Sequence, residues 1–120
     1  MELQAKDLKI GNYLEKSLKS GNGRTIVDSI GCQDIVRIFE NIGSYNYAPI
    51  PLTEEWLIKL GFDSLQDGWY GYKLDKLSFS WNVYDNKVRF MGHIIVYIEY
   101  LHQLQNAVFA LTGEELTLKN

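Results

Sequence analysis

Three aromatic side chains stand together in the second half of the chain, and their residue types suit ligand binding. Trp69, Tyr70 and Tyr72 surround Gly71, whose missing side chain would let another group approach the backbone. Stacking of a nucleic acid base on such rings is worth about 1 to 3 kcal/mol per base, and an arginine such as Arg89 adds a fork for phosphate. The cluster is compatible with a site for a nucleotide or a short single strand. It is equally compatible with a core that is rich in aromatic residues.

Two further tyrosines, Tyr45 and Tyr47, lie in the segment 41–48, which glycine and serine interrupt. We predict a loop here, and loops carry binding residues more often than cores do. Both tyrosines are therefore candidate ligand-binding residues, with packing over a sheet edge as the alternative. Lys73 and Lys87 are further candidate cations near the aromatic cluster.

Residues that could support catalysis are sparse. Nucleotide-binding, hydrolase and zinc-protease motifs are missing, and the two histidines, His93 and His102, have no recognisable metal-ligand spacing around them. His102 is expected to bond to backbone or solvent, and the single cysteine, Cys32, to be a half-buried thiol without a disulfide partner. Glu54 and Glu55 are interpreted as charges that complement a helix start. We predict a non-enzyme without metal or cofactor.

Composition and charge limit the possible partners. The 120 residues suit one domain, and 46% hydrophobic content fits a folded chain rather than a disordered one. Twelve basic and fifteen acidic residues give a net charge of −3, without a basic stripe, so duplex DNA is an unfavourable partner. No apolar run reaches the length of a membrane span, and the N-terminus lacks a secretory pattern. These features predict a cytoplasmic protein.

The first subregion, residues 1–48, is predicted to be a small sheet. A turn enters a strand within residues 7–14, and strands are predicted at Arg24–Ile30 and Gln33–Phe39. Short strands with tight connections favour a curled antiparallel sheet of SH3-like shape. That label describes shape alone, because such folds host many functions.

The second subregion, residues 49–120, is predicted to hold a short helix and an antiparallel meander. Thr53–Leu60 has the signals of a complete helix, with Thr53 as N-cap and Gly61 after its end. Asp85 and Asn86 suggest a two-residue turn. The predicted strands are Trp69–Lys73, Leu77–Tyr84, Lys87–Met91 and His93–Glu99.

The alternation in the second of these strands predicts its two faces. Leu77, Phe79, Trp81 and Val83 should face a core, and Ser78, Ser80, Asn82 and Tyr84 the opposite side.

A C-terminal helix is predicted to cover the apolar face. Its apolar stripe is Leu101, Leu104, Val108 and Leu111, it stops at Thr112-Gly113, and its polar face includes His102 and Gln105. The expected fold class is thus α+β.

Three blocks of sequence resemble a known family. AKDLKIGNY (Ala5 to Tyr13), PIPLTEEWLIKLGF (Pro49 to Phe62) and YLHQLQNAVFALTGEEL (Tyr100 to Leu116) are similar, in this order, to small uncharacterised proteins of Bacteroidetes genomes, phages and prophages. Where family members tend to have Leu-Tyr, this chain has Ala107 and Val108. The resemblance implies an origin in a mobile element and a setting inside the bacterial host.

Two classes of function follow as expectations. The first is a phage-type binding protein for counter-defence, which sequesters either a nucleotide second messenger or a host defence protein. Assembly into a homo-oligomer would suit it, because symmetric interfaces can build pockets that one small chain cannot. The second is an accessory factor of phage replication or assembly that binds single-stranded nucleic acid or a protein partner.

Overall fold

The computed structural model describes residues 3–21, 25–74, 77–91, 93–116 and 118. Within these ranges the chain forms three α-helices, one short 3-10 helix and eight strands in two antiparallel sheets, which confirms the α+β class. The chain divides into two compact units, Met1–Ile50 with Tyr100–His102, and Pro51–Glu99 with Gln103–Asn120. The prediction of a single domain, with subregions 1–48 and 49–120, stays a prediction, as does the SH3-like shape.

The first unit contains a three-stranded sheet with β1 (Tyr13–Leu18) in the middle. Strand β2 (Ile26–Ser29) and strand β3 (Tyr45–Ala48) pair antiparallel with its two sides. Buried Leu14 lies on the central strand. The two outer strands are therefore the edges of this sheet.

Residues 33–39 were predicted as a strand, and that prediction is wrong because they belong to helix α1 (Cys32–Glu40). The helix start is capped, since the backbone N–H of Gly31 donates to Oδ2 of Asp34 at 2.9 Å. The helix ends at Asn41, whose left-handed φ of 53° closes the last turn. β-Branched residues gave the segment its strand character, but capping at both ends overrides that weak preference. Cys32, expected to be half-buried, is exposed.

The predicted loop at 41–48 is also wrong in its second half. Tyr45–Ala48 forms β3, the third strand of the sheet, in register with β1 from Glu15 opposite Ala48 to Leu18 opposite Tyr45. Only the residues between α1 and β3 form the turn, with Gly43 at a φ of 95°. The strand predicted at residues 33–39 is therefore replaced by one that begins at residue 45.

The second unit begins with helix α2 (Glu54–Lys59), whose two ends lie close to the predicted positions. Thr53 occupies the N-cap position, although its side chain makes no capping hydrogen bond, contrary to expectation. At the other end Gly61 has a φ of 94°. The N–H of Phe62 donates to the carbonyl of Leu57 at 2.9 Å. This bond pattern is the predicted Schellman end.

A five-stranded antiparallel meander follows, with its strands in sequence order. The last four were predicted, and the short first strand at the edge was not. The strands are β4 (Asp63–Ser64), β5 (Trp69–Leu74), β6 (Leu77–Asn82), β7 (Lys87–Phe90) and β8 (His93–Tyr97).

The turn between β6 and β7 is longer than predicted. Four residues, 83–86, connect the strands instead of Asp85 and Asn86 alone. The N–H of Tyr84 donates to the side-chain oxygen Oδ1 of Asn82 at 2.9 Å, and the N–H of Asn86 donates to the backbone carbonyl of Asn82 at 3.0 Å. These bonds to the last residue of β6 close a wider loop than a two-residue turn does.

The pairing of this sheet separates two faces. Tyr70, Trp81 and Val88 stand opposite one another and are buried, and the indole N–H of Trp81 donates to the carbonyl of Ile98 at 2.9 Å. Phe79 shares this core face, as predicted, whereas Val83 lies beyond the strand and the side chain of Leu77 lies outside the described residues. The opposite face carries Trp69, Gly71, Ser80, Asn82 and Arg89.

Helix α3 (Leu101–Thr112) ends where the sequence indicated, with Gly113 at a φ of 76°. The stripe of Leu101, Leu104 and Val108 is buried, but Leu111 is exposed. His102 and Gln105, predicted on the polar face, are buried as well. The buried arc of this helix is therefore wider than a single stripe. Docking of α3 on the sheet stays a prediction. Among the described residues no helix is long and apolar enough to cross a membrane.

Candidate ligand-binding site

Trp69 and Arg89 form a cation–π pair on the face of the meander opposite its core. Trp69 is the first residue of β5 and stands opposite Asn82, while Arg89 on β7 stands opposite Ser80, so the register of β6 brings the two together. The central carbon of the Arg89 guanidinium lies 4.1 Å from the centroid of the Trp69 ring. This is a close cation–π contact between two half-buried side chains. The structure thus unites two predicted site residues that are twenty positions apart.

The pairing of β7 with its neighbour β8 is irregular at Arg89. The pairing of β7 with β8 shifts register between Val88 and Arg89. Such bulges bend a strand and redirect a side chain. Neither the guanidinium of Arg89 nor the indole N–H of Trp69 forms a hydrogen bond or ion pair with any residue that the structure describes. The guanidinium is therefore held over the indole ring, and no described residue takes its N–H donors.

A shallow surface cavity of about 440 Å³ lies beside this pair. The loop between β4 and β5 supplies its other described walls, Leu65, Gln66 and Asp67. Sequence analysis missed these three residues, although the Asp67-Gly68 turn signal directly before an aromatic strand could have found them.

Hydrogen bonds fix the loop that forms this wall. The side-chain amide of Asn82 donates to the carbonyl of Asp67 at 3.1 Å, and the N–H of Val83 donates to the carbonyl of Gly68 at 2.9 Å. Asp67 and Gly68 both have left-handed backbone angles, with φ of 59° and 82°. The backbone of this wall is thus anchored at the end of β6.

Tyr70 and Tyr72 point to the other face of β5, because successive side chains of a strand alternate. Tyr70 is only 8% exposed, and its hydroxyl donates to Oε2 of Glu54 at 2.6 Å. That hydrogen bond, together with desolvation, raises the pKa of Tyr70. The ring of Tyr72 stacks on Phe62 with centroids 5.0 Å apart. The structure does not bring these two tyrosines to the Trp69–Arg89 pair.

Gly71 has a structural use within the second unit. A Cβ at this position would stand 2.8 Å from Cδ1 of Leu65, so the space that the glycine leaves is already filled by a side chain of the same chain. The sequence suggested that a ligand could approach the backbone here. Leu65 takes that place instead, and it is also one wall of the cavity.

Tyr45 and Tyr47 belong to the first unit, where they flank a cation. Nζ of Lys16 lies 4.3 Å from the ring centroid of Tyr45 and 5.9 Å from that of Tyr47. The hydroxyl of Tyr47 donates to Oδ1 of Asp34 at 2.6 Å. Burial and this hydrogen bond raise the pKa of Tyr47. Both tyrosines belong to the edge strand β3 itself, and their role in ligand binding stays a prediction.

His102 is fully buried, and neither ring nitrogen has a hydrogen-bond partner in the described part of the chain. The expected bond to backbone is therefore not made within the described residues, and a bond to solvent stays a prediction. Burial lowers the pKa of His102, while the negative charge of Asp7 acts in the opposite direction. Among the described residues no group of three or more His, Cys, Asp or Glu side chains could hold a metal ion.

In comparisons with known proteins, no family model matches this chain, and neither a curated protein nor a solved structure matches it. Function therefore has to be inferred from the cavity and the groups that line it.

Proposed function

We propose that this chain is a non-catalytic binding protein, and that its ligand is a small anion with a planar ring, most simply a nucleotide, held at the Trp69–Arg89 cavity. The observation that carries the proposal is the guanidinium of Arg89, which lies 4.1 Å from the centroid of the Trp69 ring and donates to no described residue. A planar cation fixed in this way offers a paired N–H edge to phosphate and a flat surface for stacking.

The remaining walls suit the rest of a nucleotide. Asp67 and Gln66 supply a carboxylate and an amide that can bond to sugar hydroxyls or to a base edge. A volume of about 440 Å³ lies in the range of small-molecule sites. Leu65 adds an apolar wall. The cavity thus combines a few polar groups with stacking surface, as nucleotide sites require.

The positive charge at the cavity favours a ligand with few negative charges. Among the described lining residues, Arg89 is the one cation. Nζ of nearby Lys87 lies 3.5 Å from Oδ2 of Asp85, so its charge is paired. The side chain of Lys73, the other candidate cation, lies outside the described residues. A cyclic nucleotide carries one charge for each phosphate, whereas a triphosphate carries several. We therefore favour cyclic mono- or dinucleotides over nucleoside triphosphates.

The lining residues also support binding rather than turnover. Of the five that the structure describes, Asp67 is the one that could act as a general base, and no nucleophilic side chain stands beside it. Together with the resemblance to phage and prophage proteins, this favours sequestration of a nucleotide second messenger as a counter-defence function. A host defence protein is the other expected target of such a function.

Native mass spectrometry and isothermal titration calorimetry test the proposal directly. The purified chain is incubated with mononucleotides, cyclic dinucleotides and cyclic oligonucleotides, and a bound cyclic nucleotide mass is expected. Trp69→Ala and Arg89→Ala should each weaken binding at least fivefold, because a lost stacking or charge-assisted contact costs about 1 to 3 kcal/mol.

A second tryptophan–cation pair gives the matched control. Nζ of Lys59 lies 4.9 Å from the ring centroid of Trp56, and neither residue lines the cavity. Trp56→Ala and Lys59→Ala should leave affinity unchanged. A protein that binds nothing in the panel, or an Arg89→Ala variant that binds as well as the parent, would overturn the proposal. Preference for oligonucleotides with a steep loss in salt would instead support the accessory-factor alternative.

A further inference from the structure

The outer edge of β3 in the first unit has a row of backbone groups that bond to no described residue. The N–H of Lys19 donates to the carbonyl of Ser44 at 2.9 Å, in continuation of the β1–β3 register. Hydrogen-bonded pairs alternate along an antiparallel ladder, so Asn46 bonds toward β1 and Tyr45 and Tyr47 direct their N–H and C=O groups away from it. Their backbone groups bond to no residue that the structure describes.

A groove of about 380 Å³ runs along this edge. Three consecutive residues, Tyr45, Asn46 and Tyr47, line it. Because successive side chains point to opposite faces, a cavity that touches three in a row lies against the edge of the strand rather than on one face. The last turns of α1 form the opposite wall through Arg37 and Phe39. A strand edge facing a helix across a groove is the geometry into which an extended peptide fits.

The charge of the groove indicates the composition of that peptide. Two basic residues, Lys19 and Arg37, are among its described walls, and no acidic residue is. Lys19 forms no ion pair with a described residue, and Arg37 is 3.8 Å from Asp34. Apolar contact is available from Phe39, 79% exposed, and Ile42, 49% exposed. Acidic and apolar side chains would complement these walls.

The contacts of the two tyrosines hold β3 in place before any peptide binds. Lys16 stacks on Tyr45, and the hydroxyl of Tyr47 is bound to Asp34 of α1. The strand and the helix that form the two walls are thereby tied together across the groove, which lowers the ordering cost of binding.

We propose that the edge of β3 binds an extended acidic segment of a partner protein by strand addition. The main chain of the segment pairs with Tyr45 and Tyr47, a carboxylate reaches Lys19 and Arg37, and an apolar side chain contacts Phe39. This site is separate in sequence and chemistry from the Trp69–Arg89 cavity, and its test needs no nucleotide.

The probe is a fluorescein-labelled, end-blocked heptapeptide of alternating valine and glutamate, titrated with the full chain and followed by fluorescence anisotropy. Saturable binding is expected, together with NMR shifts and slower hydrogen exchange at the amides of Tyr45 and Tyr47. Lys19→Glu should weaken binding at least fivefold, and Lys59→Glu, which reverses an equivalent surface charge in the second unit, should not.

Two altered peptides make the test specific to strand addition. The same peptide methylated on alternate backbone nitrogens should lose binding, and the version with lysine for glutamate should not bind. Equal affinity of the methylated peptide, or amide shifts confined to residues away from β3, would overturn the proposal. Slower hydrogen exchange at the amides of Tyr45 and Tyr47 with rising protein concentration, in the absence of peptide, would assign the edge to a second copy of the chain. That result would overturn the proposal as well.

Discussion

The hydroxyl of Tyr47 donates a 2.6 Å hydrogen bond to Oδ1 of Asp34, which joins the edge strand β3 to the first turn of helix α1. The other carboxylate oxygen accepts the N–H of Gly31 at 2.9 Å. Nζ of Lys16 lies 3.5 Å from Oδ1. The carboxylate of Asp34 therefore contacts the start of helix α1, the outer strand β3 through Tyr47, and Lys16 on the central strand β1.

Removing either member of this pair should destabilise the first unit. Tyr47→Phe and Asp34→Asn are each expected to lower the free energy of unfolding by about 1 to 3 kcal/mol at pH 7, since the bond involves a charged acceptor. Urea unfolding followed by circular dichroism measures the change. Tyr45→Phe is the matched control, because no described residue hydrogen-bonds its hydroxyl, and it should differ from the parent by less than about 0.5 kcal/mol.

The cost of Asp34→Asn should also depend on pH. Burial alone would raise the pKa of Asp34, but hydrogen bonds from Tyr47 and Gly31 and the charge of Lys16 outweigh it and hold the pKa below 3.8. A lowered pKa in the folded state means that the stabilisation is present above pH 3.8 and is lost as the pH falls through the folded value. The gap between parent and variant should thus shrink in acid, and a gap that is the same at pH 7 and pH 3 would contradict the assignment.

His102 should make stability fall between neutral and mildly acidic pH. Its folded pKa lies below the unfolded value of 6.5, so the unfolded chain binds more protons as the pH drops from 6.5 toward the folded pKa. His102→Leu removes this dependence, and at pH 7 it should change stability by no more than about 1 kcal/mol, because an unpartnered polar group is replaced by an apolar one.

Urea titrations at pH 7.5 and 5.5 measure the effect of His102. His93→Leu is the control for the loss of a histidine, because His93 is exposed whereas His102 is buried. A His102→Leu variant that loses as much stability as the parent between these two pH values would show that other groups cause the loss.

Gly71 and Leu65 should be energetically coupled. An alanine at position 71 would place its Cβ 2.8 Å from Cδ1 of Leu65, so Gly71→Ala should cost about 1 kcal/mol through displacement of that side chain. In a Leu65→Ala background the same change should be neutral or stabilising, because alanine restricts the unfolded chain more than glycine does.

A double-mutant cycle by urea unfolding measures this coupling. Gly31→Ala is the control, because nothing lies within 4 Å of a Cβ at that position, and its effect should be the same whether residue 65 is leucine or alanine. Additive effects of Gly71→Ala and Leu65→Ala would show that the contact has no energetic weight.

The elements that sequence analysis predicted well carry strong local signals. Helices α2 and α3 end at Gly61 and Gly113, which adopt positive φ angles that glycine accepts without strain. The alternation of Phe79 and Trp81 with serines defined the core face of β6. Helix α1 was misassigned because its β-branched residues favour a strand, and a nine-residue segment is too short for periodicity to outweigh that preference.

The candidate site divides in the same way. Sequence analysis selected Trp69 and Arg89 by residue type, but their contact depends on the register of β6 between them. It grouped Tyr70 and Tyr72 with Trp69 through proximity along the chain, although the alternation of a strand already separates Trp69 from both. Leu65, Gln66 and Asp67 escaped notice because loop residues acquire a role only from what lies across the cavity.

The sequence by itself determined the α+β class, the ends of two helices and four of the five strands of the meander, because caps, glycines and alternation act within a few residues. Only the tertiary structure decided that residues 32–40 are a helix, that Tyr45 and Tyr47 form an open edge, and that Arg89 lies on Trp69. The strand edge and the Trp69–Arg89 contact depend on contacts between residues distant in sequence, and helix α1, capped locally, is joined to β3 by the bond from Tyr47 to Asp34. Such contacts are fixed by strand pairing and burial, which no local pattern specifies.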